Sequence, residues 1–409
     1  MSTTPVAPGV EAVEAARVRL RDTVYQTPCP YSQTLSELTG ARVYVKLENL
    51  QMTGSFKERG AANLLLQLDE AERRRGVVAA SAGNHGLAVA FHAARLGIPA
   101  TIVMPTYAPL IKVTSARRYG AEVILDGANY DEAFEQAWAR VGRSGAIFVH
   151  PFDDPRVVAG QGTLGLELAE QVDGLDAVIV PVGGGGLIAG VGLALEARRP
   201  SVRVVGVQAA AMPAMQRSLQ ARERVRVGAA PTIADGIAVR RVGEVTFGLA
   251  SRLVHEIVTV DEEELANAIL LLLEIEKTVV EGAGAAALAA LLNRPLGLEG
   301  RRVALVLSGG NIDVTMLARI IERGLVKDGR LVRLGVILRD RPGALARLTA
   351  LIADERVNIL QIEHDRAFSR QAIGATEVEL TLETSGRKQI DALKQRLEAA
   401  GYSVEERGP

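Results

Sequence analysis

Short, uninterrupted apolar runs rich in Val and Ile alternate along the chain with longer segments whose apolar residues recur at helical spacing. The runs predict strands at 42–47, 76–81, 100–104, 122–125, 147–149, 177–181 and 203–208. The segments between them predict helices at 56–68, 85–96, 110–119, 130–143, 160–172 and 187–198. A strand that is apolar at successive positions is buried on both faces, as in a parallel sheet covered by helices. Strand, helix and strand repeating at this spacing predict a doubly wound α/β architecture. The pattern changes near Asn311. A helix at about 314–325 leads to a polar turn, Lys327-Asp328-Gly329-Arg330, and then to strand 331–338, helix 343–354, strand 357–365, strand 375–382, helix 387–400 and strand 403–405. That β-α-β-β-α-β order is the ferredoxin-like split motif. The expected boundary therefore lies near residue 328, dividing 1–328 from 329–409.

Bulk properties narrow the function classes. The 409 residues suffice for two or three domains, and the formal charge of −1 offers no footprint for nucleic acid or an anionic membrane. The single cysteine, Cys29, excludes an intrachain disulfide framework and a clustered cysteine metal site. Residues 1–9 lack the basic and apolar regions of a secretory signal, and no run of about 18 apolar residues offers a membrane span. A cytoplasmic, soluble protein is expected.

Candidate chemistry sits in the loops. Lys57, in Thr53-Gly54-Ser55-Phe56-Lys57-Glu58-Arg59-Gly60, is flanked by small and aromatic residues. A lysine of lowered pKa forms a Schiff base with an aldehyde, although most lysines are solvated surface residues. Ser81-Ala82-Gly83-Asn84-His85-Gly86 follows an apolar strand and opens a helix, whose free N–H groups suit a carboxylate or phosphate. Ser81 is equally readable as an N-cap and His85 as a satisfied loop histidine. Gly183-Gly184-Gly185-Gly186-Leu187 lies between another strand and helix, where converging amides favour an anion. Gly184-x-Gly186-x-x-Ala189 formally fits a dinucleotide fingerprint, which needs an acidic residue after the next strand. Gln208 and three alanines stand there, so a monophosphate is the better fit. Ser308, in Ser308-Gly309-Gly310-Asn311, is either a turn residue or a neutral hydroxyl facing a ligand. Glu281, in Glu281-Gly282-Ala283-Gly284, is at least a carboxylate at a helix N-terminus.

These motifs, with Lys46-Leu47-Glu48-Asn49-Leu50-Gln51, Pro151-Phe152-Asp153-Asp154 and Ala234-Asp235-Gly236, occur in family order. The chain resembles the fold-type II pyridoxal-phosphate enzymes, most closely the threonine dehydratases with one C-terminal ACT domain. The resemblance implies two doubly wound subdomains, the smaller (about 51–153) inserted in the larger, and pyridoxal 5'-phosphate as cofactor. It implies Lys57 and Ser81 as catalytic residues, with Lys57 carrying the cofactor and moving protons at Cα. Phe56 would pack on the pyridine ring, Asn84 would bond its phenolic oxygen, and Ser308 would face its nitrogen. Amides of Gly183, Gly184, Gly185, Gly186 and Leu187 would bind the phosphate, and Glu281 would complete the cofactor site. Ser81, Ala82, Gly83, Asn84 and His85 would hold the substrate carboxylate. Serine racemases of this fold type place carboxylates where this chain has Gln208 and near Ala214, so no metal is expected. L-Threonine would give 2-oxobutanoate and ammonia.

Arg339-Asp340-Arg341-Pro342-Gly343-Ala344-Leu345 and Val357-Asn358-Ile359 resemble the ACT signature. This implies an amino-acid effector, isoleucine as inhibitor and valine as its antagonist, at Gly343, Ala344, Leu345, Asn358 and Ile359. It also implies a homo-oligomer, a dimer or tetramer. A dimerisation module without ligand is the alternative.

Overall fold

The computed structural model describes residues 6–108, 110–365 and 374–407, and the chain forms two compact units, Met1–Ile312 and Asp313–Pro409. In the first unit the strands are β1 (Tyr31–Ser32), β2 (Arg42–Lys46), β3 (Val77–Ala80), β4 (Ala100–Met104), β5 (Glu122–Leu125), β6 (Ile147–Phe148), β7 (Ala177–Pro181), β8 (Arg203–Ala209), β9 (Glu256–Val260) and β10 (Arg302–Val306). They make two sheets, one of six strands in the order β1-β2-β10-β7-β8-β9 and one of four in the order β5-β4-β3-β6. All pairings are parallel except β1 with β2. The smaller sheet is drawn wholly from residues 77–148, between two stretches that build the larger one.

The central strands β3 and β7 are buried at every position, as their continuous apolar sequences demand. On one face of the larger sheet Leu164, Leu168, Ile188 and Val191 pack with Val178, Val180 and Val204, and helix Gly282–Asn293 also packs on strands β7 to β10. A second core joins Ala61, Leu64 and Leu65 to Leu87, Ile102 and Val77. Two strands escape the sequence pattern. β1 has only two residues, and β9, Glu256–Val260, is a partly exposed edge strand with polar positions. The helix expected at 160–172 begins earlier, at Pro155, because Asp154 caps it and proline fits its first turn.

The second unit contains β11 (Leu331–Arg339), β12 (Asn358–Asp365), β13 (Ala375–Glu383) and β14 (Ser403–Arg407), antiparallel in the order β12-β13-β11-β14. β13 alternates between half-buried and buried residues, so one face is apolar. Helices Ala344–Asp354 and Arg387–Ala399 cover it with Leu348, Ile352, Ile390, Leu393 and Leu397. The unit starts at Asp313, one helix before the boundary expected near 328, because helix Val314–Lys327 packs with β11.

Candidate active site

The glycine loops, Ser308 and Glu48 all follow the carboxyl ends of parallel strands, where ligands gather in open α/β sheets. Lys57 opens helix Lys57–Leu65. Its Nζ donates to Pro151 O at 2.8 Å and stands 5.3 Å from the centre of the Phe56 ring. Surrounding protein displaces water from the ammonium and pushes its pKa down to about 8, against the opposing pull of Glu281. At pH 7 Lys57 thus stays mostly protonated, with roughly a tenth neutral and nucleophilic, far more than an ordinary lysine keeps.

The four residues Pro151 to Asp154 make four different contacts. Pro151 offers its carbonyl to Lys57. The Phe152 ring covers Gly184 so closely that a Cβ there would fall 2.3 Å from it. Asp153 accepts from the amides of Glu244 (2.8 Å) and Thr246 (3.2 Å), capping helix Glu244–Leu253. Asp154 accepts from Arg156 N at 2.8 Å. His150 Nδ1 accepts from the amides of Phe152 and Asp153, and burial pushes its pKa down to about 4.

Both helices that follow the glycine loops start without a side-chain cap. Helix Gly186–Arg198 starts from Gly185 at φ +100°, and Gly186 and Leu187 are buried. Buried, uncapped amides at a helix start need a partner, and an anion supplies one. Helix Asn84–Arg95 starts from Gly83 without a side-chain cap, while Ser81 Oγ accepts from Gly83 N at 3.1 Å. His85 is held through Nε2, which donates to Val149 O at 2.8 Å, and burial pushes its pKa down to about 3. It is neutral at physiological pH. Ser81 Oγ thus shapes the turn, His85 is a satisfied donor, and both frame the loop.

Glu281 ties the loops together. Its Oε1 accepts from Asn84 Nδ2 at 2.7 Å, and Asn84 Oδ1 accepts from Asn311 Nδ2 at 2.8 Å. One N–H of Asn84 is left for a ligand. Burial, reinforced by Asp235, pushes the Glu281 carboxyl up to about 7. Glu281 N donates to Gly309 O at 3.1 Å and Ser308 O accepts from Phe56 N at 3.1 Å, so the Ser308 turn packs against both Glu281 and the lysine loop. Ser308 is buried.

Lys57, Phe56, Asn84, the glycine quartet, Glu281 and Ser308 all belong to the first unit. The sequence motifs passed over Asn311, His150 and the Pro151 carbonyl as site residues. The motif Pro151 to Asp154 was the available signal. In the second unit, Gly343, Ala344 and Leu345 line a cavity of about 230 Å³, together with His364 and Thr376. Asn358 and Ile359 are not part of that lining, and Asn358 donates to Glu383 at 3.0 Å instead.

Residues 20–309 match the family described as pyridoxal-phosphate dependent enzyme, and residues 332–401 match the ACT domain. The chain belongs to the pyridoxal-phosphate-dependent enzymes. It is 51% identical to an L-threonine ammonia-lyase of Thermotoga maritima, across 97% of this chain and 98% of that one. Among solved structures it is similar to a T.th. threonine deaminase (TM-score 0.71, 42% identity, covering 75% of this chain and 99% of that one). It is also similar to maize serine racemase (TM-score 0.74, 34% identity, 79% and 99%). The fold-type II architecture and the resemblance to threonine dehydratases with an ACT domain both stand. The cofactor is pyridoxal 5'-phosphate, and the residues present fit it: a buried, uncapped helix start for its phosphate and a lysine of lowered pKa for its aldehyde. Among the described residues no cluster of His, Cys, Asp and Glu is arranged for a metal ion, and no helix is long and apolar enough to cross a membrane.

Proposed function

We propose that the protein is a threonine ammonia-lyase, converting L-threonine to 2-oxobutanoate and ammonia and also L-serine to pyruvate. Likeness across 97% of the chain to a protein named L-threonine ammonia-lyase carries this reading, and the lysine site supports it. When bound, pyridoxal phosphate supplies the electron sink that lets a substrate amino acid lose its Cα proton. Lys57 is the residue that carries the cofactor and moves that proton, since its pKa of about 8 lets Nζ exist in both states. The amides of Gly183 to Leu187 take the phosphate. Phe56 packs against the ring, and Asn84, steadied by Glu281 and Asn311, offers its remaining N–H to the phenolic oxygen. The Ser81 to His85 loop takes the substrate carboxylate. Ser308 presents a hydroxyl, which cannot hold a ring nitrogen protonated as an aspartate would. With pyridoxal phosphate bound, a hydroxyl there would leave the ring a weaker electron sink, which would suit β-elimination.

A racemase reading draws on the likeness to maize serine racemase. Gln208 weighs against the metal-dependent form expected there: its Nε2 donates to Val182 O at 3.1 Å, which a carboxylate cannot do, and its Oε1 accepts from Gln216 N at 2.9 Å. We assign the second unit to feedback by isoleucine, with valine as antagonist, at the cavity beside Gly343, in a dimeric or tetrameric enzyme placed at the entry to isoleucine synthesis. The test is 2-oxobutanoate release from L-threonine by the full-length holoenzyme with EDTA present, with and without isoleucine. Release that EDTA abolishes and Mg2+ restores, or none at all, sinks the lyase reading as stated. Equal inhibition by isoleucine of the full chain and of a chain ending at Ile312 places the inhibitor at the catalytic site and sinks the feedback assignment.

A further inference from the structure

Lys57 is followed by two buried ionic residues that reach in different directions. Glu58 accepts from Thr53 N and meets His92 Nε2 at 3.2 Å, on the helix that packs over the smaller sheet. Arg59 turns the other way, into the larger sheet. Its Nε and Nη2 bond Glu48 at 2.8 and 2.7 Å, and its Nη1 and Nη2 bond Glu167 at 2.5 and 2.8 Å. Thr163 Oγ1 accepts a further bond at 3.1 Å. Lys46 Nζ joins Glu167 at 2.5 Å, so two cations and two carboxylates sum to zero charge. Burial alone would raise the Glu48 carboxyl, yet Arg59 and Lys46 hold it below its ordinary range. Arg59, Glu48 and Lys46 are fully buried, an expensive arrangement to keep for stability alone.

The same direction is reinforced by close helix crossings. A Cβ on Gly160 would fall 2.5 Å from Arg59 O, so helix Lys57–Leu65 touches helix Pro155–Gln171 backbone to backbone. A Cβ on Gly190 would fall 2.5 Å from Gly162 N, so that second helix touches helix Gly186–Arg198 in the same way. This third helix begins at the glycine quartet. An unbroken stack thus runs from the first turn bearing Lys57 to the anion cradle, and Arg59 is its polar peg.

We propose that Arg59 is a positioning residue for Lys57, its guanidinium fork between Glu48 and Glu167 fixing the lysine-bearing turn in register with the Gly183–Leu187 cradle. The inference deepens the reading of Lys57 as the cofactor lysine and rests on it. The substitution that isolates it is Arg59→Met together with Glu48→Gln in the full-length holoenzyme, which removes one charge of each sign and leaves Lys46 paired with Glu167. The expected result is a parent-like far-ultraviolet spectrum, visible circular dichroism of the bound cofactor reduced about twofold, and kcat lowered about 100-fold with KM within about threefold. Arg59→Lys, which keeps the charge without the fork, is made in parallel. It should move the same readouts the same way, and it decides the matter if the double variant does not fold. A folded variant with parent-like visible dichroism and kcat overturns the proposal, even if its melting temperature falls, because that is the signature of a purely structural ion pair. Lys57→Ala separates the two levels. If it retains both the lysine-linked absorbance and turnover, the assignment of Lys57 itself is wrong, whatever Arg59 does.

Discussion

The two glycine loops of the catalytic unit look alike in sequence and differ in what makes their glycines necessary. In the quartet the protein's own packing dictates every position: a Cβ would meet Ile237 at 3.1 Å from Gly183, Phe152 at 2.3 Å from Gly184, Met215 at 2.6 Å from Gly185 and Phe152 O at 3.0 Å from Gly186. In the Ser81 loop, Gly86 is similarly confined by Ser81 O at 2.7 Å, but a Cβ on Gly83 would meet nothing within 4 Å. Gly83 therefore leaves free space that the fold does not use. One loop is packed tightly against the rest of the unit, and the other keeps open space, which we propose the substrate fills.

The largest effect should come from the quartet. Gly184→Ala drives a methyl into the Phe152 ring, and is expected to cost about 1–3 kcal/mol in stability and most of the cofactor binding. Melting temperature and bound pyridoxal phosphate report it. Adding Phe152→Ala should restore part of the lost melting temperature, since the two sites share one space. An additive double variant would mean that the clash is not the cause.

Gly83→Ala should sharpen the contrast. It is expected to leave stability within about 0.5 kcal/mol while raising KM for L-threonine about tenfold, with kcat less affected. A destabilised variant with an ordinary KM would reverse the roles of the two loops.

Glu281 touches both regions, through Asn84 and through Gly236 beside Gly183. Its folded pKa of about 7 lies above the ordinary 4.5 because burial disfavours the charge. The stability associated with its neutral form is fully present below 4.5 and is lost as pH rises through about 7. In cofactor-free protein, Glu281→Gln should therefore raise the melting temperature at about pH 8 and change it little at about pH 4. A gain confined to the acidic side would contradict this assignment.

The smallest effect on turnover should come from a third glycine at a helix start, Gly343, whose φ is +80°. Gly343→Val strains that turn at the mouth of the ACT cavity and should weaken isoleucine inhibition, with turnover in the absence of effector nearly unchanged.

Local signals made much of this legible. Lys57, the quartet and the Ser81 loop are short motifs at strand ends, and the buried strands are continuous apolar runs. The relations between motifs were not legible, because they are made by distant chain segments. Pro151 lies 94 residues from the lysine it holds, and Glu167 lies 108 from Arg59. Nothing near Arg59 in sequence distinguishes a buried fork from an ordinary surface cation. β9 was missed for a local reason, since an edge strand with polar positions has no continuous apolar signature. The cavity shows a similar division: Gly343 to Leu345 were visible as a turn, whereas His364 and Thr376 reach it only through the strand pairing of β12, β13 and β11.

The carbonyl that holds Lys57 belongs to Pro151, where the chain leaves the smaller sheet and returns to the larger one. A nascent chain has therefore synthesised the lysine and the residues of its helix well before it has made the partner. A half-built molecule carries an ordinary, solvated lysine of high pKa, a poor trap for aldehydes. The burial that lowers the pKa of the amine is present only once the surrounding elements have packed, beside the Gly183–Leu187 loop. Aldehyde reactivity is thus withheld until folding has finished, and the arriving cofactor then draws the completed state forward by mass action.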